Sequence, residues 1–216
     1  MYLLYIDTSS QHSLVFIFNE KKILASRTNE IQSNHGQVIN IHIDELLHEA
    51  DISMSDLNGI CVLNGPGSYT GLRISLATAK GICYANDIPL FLINKLDLLF
   101  SAIDSRLTSK NIAIIIKARE DEFFTAIYSS NGAPLLMPSL LTKSDLLDKL
   151  NLNQALLYFE DDIYTSEFEA FTSIKLSLPK IHTMAFNVYK ESKPADLFQS
   201  EPFYLKNVHI NKINKL

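Results

Sequence analysis

The chain has 216 residues, 47% of them hydrophobic and 20% charged, with a net charge of −5; this suits a folded core, and the acid excess excludes a protein that grips nucleic acid by charge alone. No apolar run reaches the roughly 20 residues of a membrane-spanning helix, and the run from Met1 to Ile6 meets Asp7 without a basic flank, so it reads as a buried first strand and not as a signal peptide. Cys61 and Cys83 are the two cysteines, both in apolar surroundings, which fits core thiols of a cytoplasmic protein and no disulfide framework.

Short β-rich runs come first: Leu3 to Ile6, Ser13 to Phe18 and Lys22 to Ser26, broken by Asp7-Thr8-Ser9-Ser10 and by Asn19-Glu20. They predict a meander opening an antiparallel or mixed sheet. A helix follows over about Gly36 to Ala50, with Ile39, Ile43, Leu46, Leu47 and Ala50 on one stripe. A turn at Ser55-Asp56-Leu57 leads to a strand, Ile60 to Leu63. Next come a glycine-rich turn, Gly65 to Gly71, a helix to about Asn86, a buried strand Pro89 to Ile93 and a helix from Lys95 to about Ile103.

The second half restarts after the polar stretch Asp104 to Asn111. Ile112 to Ile116 and Phe123 to Tyr128 predict a hairpin across Arg119 to Glu122. Thr142-Lys143-Ser144-Asp145 has capping-box-like spacing and opens a helix to about Leu150. A strand at Ala155 to Phe159, a helix at Thr183 to Lys190, a break at Pro194 and a polar, basic tail from Lys206 to Lys215 complete the pattern.

The turn Asn64-Gly65-Pro66-Gly67-Ser68-Tyr69-Thr70-Gly71-Leu72-Arg73 is the most informative segment. Its glycines, between a strand and a helix, either let the helix N-terminus hold an anion or let two elements pack closely; the second reading is preferred. It is no P-loop, because no Gly-Lys-Ser/Thr ends it, and Ser68 sits in G-S-x-x-G, not the G-x-S-x-G of a hydrolase elbow. The following helix mixes small residues (Ala77, Ala79, Gly81, Ala85) with apolar Leu72, Leu76 and Ile82, and the helix before it adds Val38 and Ile41 outside its stripe. Apolar or small residues on more than one face predict an added protein partner on these two helices. His35, His42 and His48 lack the three- or four-residue spacing of helical metal ligands, and neither cysteine has a ligand-spaced neighbour, so no metal site is expected.

Taken together, these residues resemble the TsaB family, also called YeaZ. The likeness is carried by Ile6-Asp7-Thr8-Ser9, by the long run Leu63 to Gly81 (against the family's G-x-G-P-G-S-[FY]-T-G-[LV]-R-I-G-L-A-T-A-K-G), by Ile43-Asp44-Glu45-Leu46-Leu47 and Met54-Ser55-Asp56-Leu57, and near the end by Pro202-Phe203-Tyr204-Leu205-Lys206-Asn207. Two stretches depart from the family pattern: His35 to Asn40, and Lys117-Ala118-Arg119, where lysine replaces the family's aspartate.

The resemblance implies an α/β, actin/hexokinase-like (ASKHA) fold of two related lobes with mixed sheets flanked by helices. Residues 1–103 would form a lobe carrying partner-docking helices, and 104–216 a smaller α/β lobe. It further implies a non-catalytic subunit for threonylcarbamoyladenosine formation next to the tRNA anticodon, paired with a TsaD-type catalytic subunit and joined by a TsaE-type ATPase. Such a protein would form a homodimer when alone and meet tRNA indirectly through the complex. The expected interface residues are His35, Val38, Ile41, His42, Glu45, Leu72, Ala77, Ala79, Lys80 and Cys83, beside the loop Gly65, Pro66, Gly67, Ser68, Tyr69, Thr70, Gly71 and Arg73. No cofactor is expected: the two phosphate-loop positions, Asp7-Thr8-Ser9-Ser10 and Lys117-Ala118-Arg119, have no glycine to open backbone amides to a phosphate. The alternative is an enzyme, an actin-fold phosphotransferase or a peptidase-like hydrolase using the Ser68 loop. For tail residues Lys206, His209, Lys212 and Lys215, a solvated terminus is preferred over direct tRNA contact.

Overall fold

The computed structural model describes residues 1–104, 109–159 and 171–205; the basic tail lies outside them. Strands β1 (Tyr2–Asp7), β2 (Ser13–Phe18) and β3 (Ile23–Asn29) form the expected antiparallel meander. Helix α1 (His35–Glu49), β4 (Leu57–Gly65), α2 (Tyr69–Asn86) and β5 (Leu90–Asn94) follow, with β4 parallel to both β1 and β5. Strand order is β3-β2-β1-β4-β5.

Alternation along these strands loads both faces with apolar side chains. Leu4, Ile6, Val15, Ile17, Ile60 and Val62 meet α1 through Ile39, Ile43, Leu46 and Leu47, and α2 through Leu76, Ala79 and Cys83. Leu3, Tyr5, Phe16, Phe18, Cys61 and Leu63 face the other way. Helix α3 (Lys95–Ser101) covers that side with Leu98, and a late helix, α5 (Leu178–Glu191), covers it with Ile181 and Ala185.

The second sheet contains β6 (Ile112–Lys117), β7 (Glu122–Tyr128), β8 (Pro134–Thr142), β9 (Leu156–Phe159) and β10 (Thr172–Ser173), in the order β10-β9-β6-β7-β8. Read from the other edge, that is the path of the first sheet: an antiparallel meander, then a parallel strand beside its first member. Helix α4 (Lys143–Asn153) packs Leu146 and Leu150 on one face against Ile115 and Phe123. Leu96 and Leu99 of α3 fill the other face against Ile112, Ile114 and Ile116. Helix α3 therefore joins the sheets: Tyr128 donates its hydroxyl hydrogen to Asp97 (2.6 Å), and its ring stacks on Phe100 with centroids 4.2 Å apart.

Most elements lie within a few residues of the expected ranges, and Thr142 does cap α4, accepting from the Asp145 amide at 3.3 Å. Two differ. Strand β8 was not expected, because Pro134 and Pro138 punctuate it; among the described residues it pairs with β7 alone, and an edge strand tolerates proline. Helix α5 starts at Leu178 instead of Thr183, with Pro179 in its first turn, where a missing N–H costs nothing.

Both cysteines are buried. Burial pushes the Cys83 thiol up to about 12 and Cys61 higher still. Native protein should therefore leave both thiols unreactive toward an aromatic disulfide reagent near pH 8, with both reacting on unfolding. The folded value lies above the unfolded one of about 8.5, so the buried thiol's contribution to stability is complete below that pH and is lost as pH climbs toward about 12.

Candidate partner-docking face

Strand β4 ends at Asn64-Gly65 and turns at once into α2. Gly65 has φ +120°, which glycine adopts freely, and a Cβ there would lie 3.0 Å from the Phe203 carbonyl oxygen. At Gly71 an added Cβ would land on the Thr8 carbonyl oxygen and 2.8 Å from its carbon. The first turn of α2 is thus pressed on the β1–β2 turn. Thr8 Oγ1 donates to the Gly71 carbonyl (2.6 Å), the Ser68 amide donates to the Ser9 carbonyl (2.8 Å), and Ser68 Oγ caps the helix by accepting from the Gly71 amide (3.3 Å). Pro66 is buried, Gly67 packs against Ser9, and Tyr69, Thr70 and Arg73 are exposed. Of the two readings of the glycine-rich turn, these contacts fit close packing.

The two phosphate-loop positions are filled by the chain itself. Asp7 Oδ1 accepts from the Ser9 amide and hydroxyl, both at 2.7 Å, and the buried Lys95 ammonium donates to Ser10 Oγ at 2.9 Å. The second position is a tight hairpin corner: the Ala118 amide donates to the Glu122 carbonyl (3.0 Å), the Glu122 amide to Arg119 (2.8 Å), and Lys117 Nζ sits 4.3 Å from the Phe123 ring centroid. These residues do not fit a nucleotide polyphosphate. The Ser9 amide is already bonded, no glycine opens either turn, and Lys117 stands where a metal-holding carboxylate would be needed. Among the described residues, no three His, Cys, Asp or Glu side chains come together as metal ligands.

On the outer side of the first sheet α1 and α2 lie side by side, touching where Gly36 meets Ile74. One flank of α1 is tied to β3: Arg27 reaches Glu45 at 3.3 Å and Glu49 at 2.7 Å. One flank of α2 is strapped by residues 195–205. Lys80 Nζ donates to the carbonyls of Phe198 (3.4 Å) and Ser200 (3.1 Å), and Arg73 Nε donates to Tyr204 Oη (2.9 Å). Between these ties, Ile41, Ala77, Gly81, Tyr84 and Ala85 are exposed, Ile41 at 56% and Tyr84 at 71%. Nothing lies within 4 Å of a Cβ built on Gly81.

The expected interface residues divide. Ile41 and Ala77 point outward, Val38 and His42 are half-buried, Glu45 is exposed but paired with Arg27, and Lys80 holds the strap. Four are covered by this chain itself: His35 (3% exposed), Leu72 (1%), Ala79 (0%) and Cys83 (1%). Leu76, Ala79 and Cys83 form a helical stripe packed on the sheet, buried Leu72 continues it beside Gly65 at the end of β4, and the His35 ring nitrogen Nδ1 meets the Asn29 amide nitrogen at 2.9 Å. Tyr84 and Phe198 are exposed members of this surface that sequence reasoning missed. Tyr84 lies seven residues after Ala77, so the helical period carried the signal; Phe198 had none.

The chain matches the family model described as "TsaD: tRNA N6-adenosine threonylcarbamoyltransferase" over residues 22–165. It is 32% identical over 133 residues to the tRNA threonylcarbamoyladenosine biosynthesis protein TsaB of Bacillus subtilis (strain 168), a match spanning 61% of this chain and 57% of that protein. It is 30% identical over 149 residues to the TsaB protein of Buchnera aphidicola subsp. Schizaphis graminum, covering 69% of each. In structure it resembles a Pseudomonas aeruginosa protein described as similar to peptidase YEAZ, with a TM-score of 0.76 at 21% identity over 95% of this chain and 99% of that one. An Arthrobacter polyphosphate/ATP-glucomannokinase superposes with a TM-score of 0.51 at 12% identity, covering 88% and 99%. That likeness, with the two matching sheets, makes the fold actin/hexokinase-like, and the sequence matches establish that the chain belongs to the TsaB (YeaZ) family within the wider group sharing the TsaD domain.

Proposed function

We propose that this chain is a non-catalytic subunit in threonylcarbamoyladenosine formation on tRNA, docking a TsaD-type catalytic subunit through the exposed faces of α1 and α2. The role named for its TsaB relatives, threonylcarbamoyladenosine biosynthesis, supports the pathway. The observation that carries the docking reading is the exposed surface of Ile41, Ala77, Gly81 and Tyr84. Small residues let a partner helix approach to the short end of the ~8–10 Å range. Because the chain matches a TsaD-type model, such a partner brings helices of the same kind, which favours a near two-fold pairing. In the absence of that partner, a second copy pairs through the same face. A TsaE-type ATPase joins the pair, tRNA is met mainly through the complex, and the site of action is the cytoplasm. The lobes divide near 103/104, with α5 returning to the first sheet.

The non-catalytic part of this reading rests on the self-filled phosphate positions. Calorimetric titration of the purified chain with magnesium-ATP should give no saturable heat. Magnesium-dependent binding in the micromolar range would replace the scaffold with a phosphotransferase. The hydrolase alternative gains nothing from the Ser68 hydroxyl, which accepts the Gly71 amide as a helix cap.

A further inference from the structure

Where the strap ends, an exposed stack stands beside the docking face. The rings of Tyr69 and Tyr204 lie 5.0 Å apart at 30°, and the Arg73 guanidinium sits 4.2 Å from the Tyr69 centroid. Tyr69 is 37% exposed and Tyr204 36%, and Arg73 is exposed. We propose that Tyr69, Arg73 and Tyr204 form a stacking site for an unpaired base of single-stranded RNA, so that this subunit touches the RNA directly. The proposal rests on the tRNA-modification reading for the presence of RNA.

Three features favour that ligand. The stack is ordered in advance: the Arg73 Nε–H bond to Tyr204 Oη fixes the guanidinium plane, so little rotamer freedom remains to be lost on binding. Guanidinium has five N–H donors, and the terminal ones stay available for a phosphate or a base acceptor. Aromatic rings and guanidinium planes are the usual platforms for splayed bases, whose faces are covered in a duplex.

Charge points the same way. In a chain of net charge −5, the sequence after Leu205 is Lys206-Asn207-Val208-His209-Ile210-Asn211-Lys212-Ile213-Asn214-Lys215-Leu216, with no acid. The first of these lysines follows Tyr204 by two positions in sequence, and a run of this charge suits an RNA ligand. Glu201 is a nearby counter-charge to Arg73, so binding is expected to be weak and salt-sensitive.

Fluorescence anisotropy of the full chain with a short labelled oligoadenylate, and with an RNA duplex of equal length, tests this at ~50 mM salt. The single strand should bind at least about fivefold tighter than the duplex, and Tyr204→Ala should weaken it at least about fivefold, whereas Tyr204→Phe, which keeps the ring and loses only the bond to Arg73, should lose less than Tyr204→Ala. Tyr69→Ala should reproduce the loss, and thermal melts of each variant confirm that the fold is intact. Absent binding, equal affinity for the duplex, or a Tyr204→Ala chain that binds like the native one would overturn the proposal. Association with a TsaD-type subunit, measured on the same variants, should be unchanged. If Tyr204→Ala loses that partner while keeping RNA, the stack is a protein contact and the RNA proposal falls with docking intact. If docking is absent and the Tyr204-dependent RNA affinity persists, the scaffold reading falls alone.

Discussion

Gly71→Ala should destabilise the chain by more than about 3 kcal/mol, or leave it insoluble, as read by denaturant unfolding. The obstacle is backbone, not a side chain that could swing away. The new methyl would sit on the Thr8 carbonyl, and Thr8 cannot retreat without dragging β1 and β2, whose Leu4, Ile6, Val15 and Ile17 build the core. The hydrogen bonds joining Thr8 and Ser9 to the start of α2 would be lost as well. Gly81 in the same helix gives the opposite sign. Its missing Cβ faces open space, so Gly81→Ala should stabilise by up to about 1 kcal/mol and raise the melting temperature by ~2–4 °C. Two glycines of one family motif thus differ in kind. One is required by packing, while the other leaves room for a neighbour outside the chain.

The second large effect concerns association. Ile41→Asp and Ala77→Asp should each weaken binding of a TsaD-type subunit at least about thirtyfold, near 2 kcal/mol, because a charge buried without a partner in a helix–helix contact is costly. Melting temperatures should hardly move, since both residues point away from the core. Ala79→Asp is the control: that methyl is fully buried, and the same substitution should unfold the chain. Sedimentation velocity of mixtures with each variant reads both the association and the native oligomer.

What the sequence showed of this face, and what it hid, has a physical basis. The stripe of Ile39, Ile43, Leu46 and Leu47 repeats at the helical period, so α1 and its buried side were readable. The glycine-rich turn was readable too, because closely spaced glycines signal unusual backbone whatever lies around them. Ala77 and Ala79, however, are chemically alike and two residues apart on a helix, so they point in widely different directions, one to solvent and one to the sheet. Composition cannot separate them; only the stripe Leu72, Leu76, Ala79, Cys83 could have done so. The strap was out of reach for a different reason. Arg73 and Tyr204 are 131 positions apart, and nothing local to either one announces the contact. Likewise β8 hides behind its prolines, since its edge position, which makes them tolerable, is a property of the whole sheet.

The exposed helix pair as a docking site can be probed directly by hydroxyl-radical footprinting, with and without a TsaD-type subunit. Ile41 and Tyr84 on α1 and α2, and Met137 and Leu152 on the second lobe, are all well exposed in the isolated chain. Oxidation of Ile41 and Tyr84 should fall sharply in the complex while Met137 and Leu152 keep their reactivity. Protection of Met137 and Leu152 with Ile41 and Tyr84 unchanged would place the partner elsewhere and contradict the docking of α1 and α2.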